Sequence, residues 1–186
     1  MACPAKQVLD PFLRIPQSDP SLIPSKMQLQ TQILVGLCAC VAFVQCQEQV
    51  TVGKVGTKTF ILLEGTENVD WDTSESLCKA KGLQLAALEN SRENDLVSAF
   101  VVKRAPITKL SAVHVCLGGS DKKSEGKWYW AGSNKHLTYT NWAENQPTES
   151  NYYNCMMMAP VGDNKKAKWQ SNYCDNAQCR PLCQSV

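Results

Sequence analysis

Ten cysteines, at positions 3, 38, 40, 46, 78, 116, 155, 174, 179 and 183, constrain this chain more than any other feature. Such a density suits an oxidising compartment, where thiols pair, better than the cytosol. Which of them can pair depends on where the mature chain begins.

From Ile33 to Cys46 the sequence runs ILVGLCACVAFVQC without a charge, then turns polar at Gln47-Glu48-Gln49. That is the length of a signal-peptide core and falls short of the roughly 20 apolar residues that cross a bilayer. No other stretch comes closer, so no membrane span is expected. Val44 and Cys46 suit the −3 and −1 positions of a signal peptidase site, which puts the mature start near Gln47. Residues 27–46 are read as the signal peptide, and residues 1–26, rich in proline, as a leader extension or a start-site artefact. A secreted, extracellular protein is the expectation.

Residues 47–186 then form one domain that keeps six of the ten cysteines, an even number that reads as three disulfides with fifteen possible pairings. Removing the leader takes the formal charge from +2 to +1, which gives no overall basic field for nucleic acid and no acidic block for disorder. No Asn-x-Ser/Thr glycosylation site occurs.

The first half of the domain carries regular patterns. Between Val50 and Leu63 β-branched residues and Phe60 suggest one or two strands, Lys58–Leu63 being the better one. After Asp70-Trp71 the pattern turns helical, with Asp72 or Thr73 as the cap, Leu77, Cys78 and Ala80 near one face, and Gly82 just past the end. Leu83 to Leu88 reads as a buried connector. A second helix opens at Asn90-Ser91, with Ser91 as cap and Leu96, Val97, Phe100 and Val101 at helical spacing before Pro106. After Ser111, short apolar runs are broken by Gly, Asn, Asp and Pro, and the strand candidates are 113–117, 128–130, 155–159, 168–169 and 180–183. An α+β single domain follows, with its two helices early and an irregular sheet-and-loop half late.

Four motifs stand out in this frame. Asp70-Trp71 leads through Cys78 and Gly82 to Leu85-Ala86; Cys116-Leu117-Gly118-Gly119 precedes Glu125-Gly126-Lys127-Trp128-Tyr129-Trp130; Asn141-Trp142 precedes Gln146-Pro147; and Trp169 lies five residues before Cys174. In these residues the chain, from about Val55 to Cys183, resembles the C-type-lectin-like domain family. The resemblance implies an α+β fold of two helices with an irregular antiparallel sheet and long loop, stapled by disulfides Cys78–Cys183 and Cys155–Cys174, which leaves Cys116 and Cys179 for each other. Cys116 stands where the family has a strand tryptophan.

The same resemblance implies a calcium ion in the long loop that binds protein and two sugar hydroxyls. Its ligand positions here read Gln146, Thr148, Tyr153, Gln170 and Ser171. Only Gln146-Pro147 keeps the family's pattern, on its galactose-type side. Calcium favours six to eight oxygens, several of them anionic, and this set contains no carboxylate. The calcium-bridged sugar mode is therefore expected to be weak or absent, with no cofactor and no metal ligand, unless Glu144 or Glu149 is recruited. Gln146, Thr148, Glu149, Tyr153, Gln170 and Ser171 remain the candidate ligand-binding residues, able to hydrogen-bond or stack on a sugar or a protein. Lys122, Lys123 and Lys127 in one turn, and Lys165, Lys166 and Lys168 in another, would make a basic patch for an anionic glycan or microbial surface if the turns were neighbours. Solvated turns are the plainer reading.

The five tryptophans are read as core, alternate residues of Met156–Met158 as buried, His114 as a core or edge histidine and His136 as an exposed loop residue. Zinc held by Cys174, Cys179, Cys183 and a histidine is disfavoured, because these spacings lack a C-x-x-C pair. Nothing in the spacing suggests a catalytic triad or a phosphate loop, so an enzyme is not expected. The resemblance implies a carbohydrate-binding lectin-like protein acting through the long-loop face on a glycan or glycoprotein; the alternative is a calcium-independent domain that binds another protein.

Overall fold

A computed structural model describes residues 48–66, 68–104, 114–162 and 166–185. The leader, the signal peptide, Ser111 and Lys165 lie outside the described residues. Strand β1 (Gln49–Val55) turns at Gly56 into β2 (Lys58–Leu63), so the early segment is two strands in an antiparallel hairpin. Gly56 has φ 59°, a left-handed conformation that glycine adopts without penalty.

Helix α1 (Trp71–Ala80) is capped two or three residues earlier than the expected Asp72 or Thr73. Asp70 is the cap: its carboxylate accepts from the Thr73 backbone N–H at 2.6 Å. The reason is Trp71, which belongs to the first helical turn and sends its indole N–H to the buried Leu117 carbonyl at 2.7 Å. The buried face is accordingly Trp71, Ser74 and Cys78, while Leu77 is only partly buried and Ala80 is exposed. Past the end, Gly82 has φ 70°, as expected for the residue that closes a helix.

The connector to the next helix contains a two-residue strand, β3 (Gln84–Leu85). Helix α2 (Ser91–Arg104) is capped by Asn90 rather than Ser91, because the Asn90 side chain accepts from Glu93 N–H at 3.1 Å. Its buried face is Glu93, Asn94, Val97 and Val101; Leu96 and Phe100 are only partly covered. Glu93 is tolerated inside because Lys58 reaches it at 3.1 Å while also binding Glu89 at 2.5 Å and the Ala87 carbonyl at 3.1 Å.

The second half supplies β4 (Val115–Ser120), β5 (Tyr129–Trp130), β6 (Lys135–His136), β7 (Cys155–Val161), β8 (Lys166–Asn172) and β9 (Arg180–Gln184). The principal order is β1-β2-β9-β4-β5-β6, with β3 on β9 and with β7 joining β4 to β8. The sheet departs from a purely antiparallel one at β4 and β9, which run parallel with Val115 opposite Arg180 and Cys116 opposite Pro181. Parallel neighbours need a long connection, and β5 to β8 provide it. All three of Met156, Met157 and Met158 are buried rather than alternate ones, since β7 is hydrogen-bonded on both sides, to β4 and β8, and covered on both faces.

The core is aromatic at its centre. Trp169 meets Trp130, Tyr139 and Trp142 edge-on at centroid distances of 5.6 to 5.7 Å. Four tryptophans are buried, while Trp142 is half-buried. Three disulfides join Cys78 to Cys183, Cys116 to Cys179 and Cys155 to Cys174, with Cα separations of 5.6, 5.4 and 5.1 Å, within the usual span of such bridges. His114, half-buried, is pushed below the ordinary histidine range by burial, against a hydrogen bond with the Gln178 backbone. His136 is exposed, on the short strand β6.

Candidate functional site

The long loop, residues 141–154, leaves the core beside β8. Trp169 N–H donates to the Asn141 carbonyl at 3.0 Å and Ala143 N–H donates to the Trp169 carbonyl at 2.8 Å, so the loop begins as a short parallel extension of the sheet. A left-handed Asn145 (φ 59°) and a cis Gln146–Pro147 peptide then bring Gln146 back over the strand.

There the side chains close on one another. The Gln146 carboxamide oxygen accepts from both the backbone N–H and the hydroxyl of Ser171, each at 2.8 Å. The Ser171 hydroxyl in turn accepts from Thr148 N–H at 2.8 Å, and Gln146 Nε2 donates to the Thr148 hydroxyl at 3.2 Å. Three of the six candidate residues thus form one hydrogen-bonded cluster in which Ser171 is nearly buried.

The other three lie elsewhere. Gln170 precedes Ser171 on β8, whose burial alternates residue by residue, so it faces the opposite side of the strand. Glu149 is exposed to solvent. Tyr153 sits against Tyr173, ring centroids 4.5 Å apart, and its hydrogen bond to Tyr173 is the main reason the Tyr173 phenol is held above its ordinary range. Tyr173 was not among the expected site residues. Its neighbour Cys174 is bridged to Cys155, two residues past Tyr153, and that implied disulfide was the signal that could have brought the two rings together. With Tyr152, which is 71% exposed, they form an aromatic surface at the end of the loop.

The cluster is a poor match to calcium. Its oxygens are a carboxamide and two hydroxyls, and both lone-pair directions of the carboxamide are already taken by Ser171. A divalent ion here would meet no anionic ligand and would have to break the Ser171 contacts first.

Three of the basic residues are engaged by partners of their own. Lys122 pairs with Asp72 at 2.5 Å and lies over the Trp71 ring, Lys123 bonds Asn134 and lies over Tyr129, and Lys168 bonds the Asn141 side chain at 2.5 Å. Lys127 and Lys166 are exposed.

Known proteins share this fold. Among relatives, a galactose-specific lectin, nattectin of Thalassophryne nattereri, is 25% identical over 125 residues, 67% of this chain and 69% of that protein. C-type lectin mosGCTL-7 of Aedes aegypti is 30% identical over 89 residues, 48% of this chain and 58% of that protein. Among solved structures, the mouse scavenger receptor C-type lectin carbohydrate-recognition domain superposes with a TM-score of 0.55 at 16% identity, covering 71% of this chain and 93% of that one. A calcium-independent type II antifreeze protein gives 0.55 at 23% identity, covering 76% and 98%. The family described as the lectin C-type domain, a non-enzymatic kind of domain, matches residues 67–185. A match that runs from just before α1 to the end of β9 makes this chain a member of the C-type lectin domain family.

Proposed function

We propose that this is a secreted, calcium-independent lectin that binds glycans through its long-loop face. The observation that carries the reading is the closed cluster of Gln146, Thr148 and Ser171, which keeps the loop folded by hydrogen bonds where the family's sugar site would use an ion. A loop already ordered in this way loses less entropy on binding than one that must be ordered by its ligand. The exposed rings of Tyr152 and Tyr173 add stacking surface beside it. Nattectin's description as galactose-specific fits the retained Gln146-Pro147, and a calcium-independent antifreeze protein on the same fold supports a metal-free loop. Three disulfides suit an extracellular location, and no helix among the described residues is long and apolar enough to cross a membrane.

The test is glycan-array binding of oxidised protein, run with millimolar calcium and again with chelator. Equal binding to the same glycans under both conditions is the expected result, and loss on chelation would overturn the calcium-independent reading. The same tyrosine surface favours a protein ligand as the second reading, and silence on the array in both conditions would shift the assignment to it.

A further inference from the structure

A groove of about 350 Å³ opens between the β5–β6 hairpin and the start of the long loop, lined among others by Lys127, Trp128, His136, Thr140, Trp142 and Pro147. It is separate from the Gln146–Thr148–Ser171 cluster, although Pro147 borders both. Its volume lies at the lower end of the range for small-molecule clefts.

The floor is stiff and aromatic. Trp128 and Trp142 meet edge-to-face at 4.8 Å, and Trp142 also packs on the buried Trp169 at 5.7 Å. The half-buried Trp142 indole, backed by the buried Trp128 and joined by the Pro147 ring, offers an apolar face on which the C–H side of a sugar ring can lie. The rim is polar and of one sign. Lys127 and His136 are exposed, and among the described residues neither side chain has a hydrogen bond or ion pair, whereas Lys122, Lys123 and Lys168 are all engaged. No carboxylate is among the residues lining the groove. The Asp121 carboxylate acts from behind instead, accepting from Gly126 N–H at 2.9 Å and fixing the turn that presents Lys127.

We propose that this groove is a binding site for an acidic saccharide, the ring stacked on Trp142 and Pro147 with Trp128 packed beneath, and its carboxylate or sulfate held by Lys127 and His136. An ammonium and an imidazole N–H can both donate to an anionic oxygen, and such charge-assisted bonds are stronger than neutral ones. The Thr140 hydroxyl is available for a ring hydroxyl. The choice of a saccharide over another anion rests on the glycan-binding reading above, but the site uses none of the loop cluster's side chains.

The test is a titration with digalacturonic acid and with galactobiose, its neutral counterpart, followed by the indole N–H signals of nitrogen-labelled protein. The Trp128 and Trp142 signals are expected to shift, with digalacturonic acid binding roughly tenfold more tightly than galactobiose or better. The pair Lys127→Gln and His136→Gln, both on exposed side chains, is expected to reduce the acid to the level of the neutral sugar with an unchanged melting temperature. Equal affinity for the two sugars, shifts confined to the other tryptophans, or an unaltered preference in the double variant would overturn the proposal. So would full competition by a glutamate-rich peptide at equal concentration, which would assign the groove to protein. Gln146→Ala serves as the control for the loop: its glycan-array result can fail or succeed independently of the groove.

Discussion

Ser171 ends twice on one atom, its N–H and its hydroxyl both donating to Gln146 Oε1 at 2.8 Å. A carbonyl oxygen has two lone pairs, so this contact saturates the carboxamide oxygen that the family would present to calcium. Gln146→Ala leaves both Ser171 donors without that partner at a nearly buried position, a cost of about 1–3 kcal/mol. The expected result is a melting temperature lower by several degrees, measured by calorimetry. Millimolar calcium is expected to leave the unsubstituted protein's melting temperature unchanged, because a ligand at a hundred times its Kd would add about 2.7 kcal/mol and be visible.

The Cys116–Cys179 bridge spans a sequence separation of 63 and ties the first residues of β4 to the approach of β9. Chain-entropy reasoning gives such a closure roughly 4 kcal/mol. Replacing both cysteines by alanine is expected to lower the melting temperature by 10 degrees or so, while the Cys78–Cys183 clasp keeps the domain folded. An unchanged melting temperature would show that the parallel β4–β9 pairing does not depend on the bridge.

The parts of this fold that were legible in sequence are those set by near neighbours. The helices were placed by their apolar spacing and caps; the first cap was missed by two or three residues because Trp71 had to lie inside the first turn to reach Leu117, and the second by one because Asn90 accepts from Glu93 N–H. The disulfides followed from family motifs, not from spacing. What could not be read depends on contacts across the chain, the parallel β4–β9 pair and burial of all three methionines, whereas Tyr173 against Tyr153 was missed although the implied Cys155–Cys174 bridge pointed to it. The candidate list held the right residue types for the loop, but only the strand's alternation separates Ser171 from Gln170. The groove draws on residues 126 to 147, none of which marks a site by itself.

Gly118 is the point where β4 passes closest to the connector. A Cβ built there would lie 2.9 Å from the Leu85 carbonyl oxygen, a backbone atom that cannot swing aside. Gly118→Ala must separate β4 from this segment and disturb the Gly118 N–H to Ala86 carbonyl bond of 2.9 Å. A destabilisation of about 1–3 kcal/mol is expected by denaturant titration.

Asp121 is 2% exposed, and its Oδ1 has no partner among the described residues. Burial raises its carboxyl above the ordinary 3.8, against the Gly126 N–H bond and with a smaller push from Glu125. Above 3.8 the folded state holds this proton more firmly than the unfolded chain does, so stability falls as pH rises from there through the folded value. Asp121→Asn removes that dependence while keeping an acceptor for Gly126. The variant's melting temperature, relative to the unsubstituted protein, is expected to gain as pH rises from about 4 and then level off. A constant offset across the series would contradict this assignment.

Asn94 ties helix α2 to both the core and the start of the loop. Its side-chain oxygen, on a residue 3% exposed, accepts from Trp169 Nε1 and from Asn141 Nδ2, each at 3.0 Å. Asn141 is held from its other end by Lys168 at 2.5 Å. Asn94→Ala strands the Trp169 indole N–H in the core and frees one side of Asn141, for an expected loss of about 2–4 kcal/mol. If the contact only packed the helix, the melting temperature would fall and nothing more. Because Asn141 adjoins Trp142, amide hydrogen exchange is also expected to quicken from residue 141 through 148 under conditions where the rest of the domain stays protected. Binding at the loop and in the groove should both weaken with it, since Asn141 is where the two sites share a foundation.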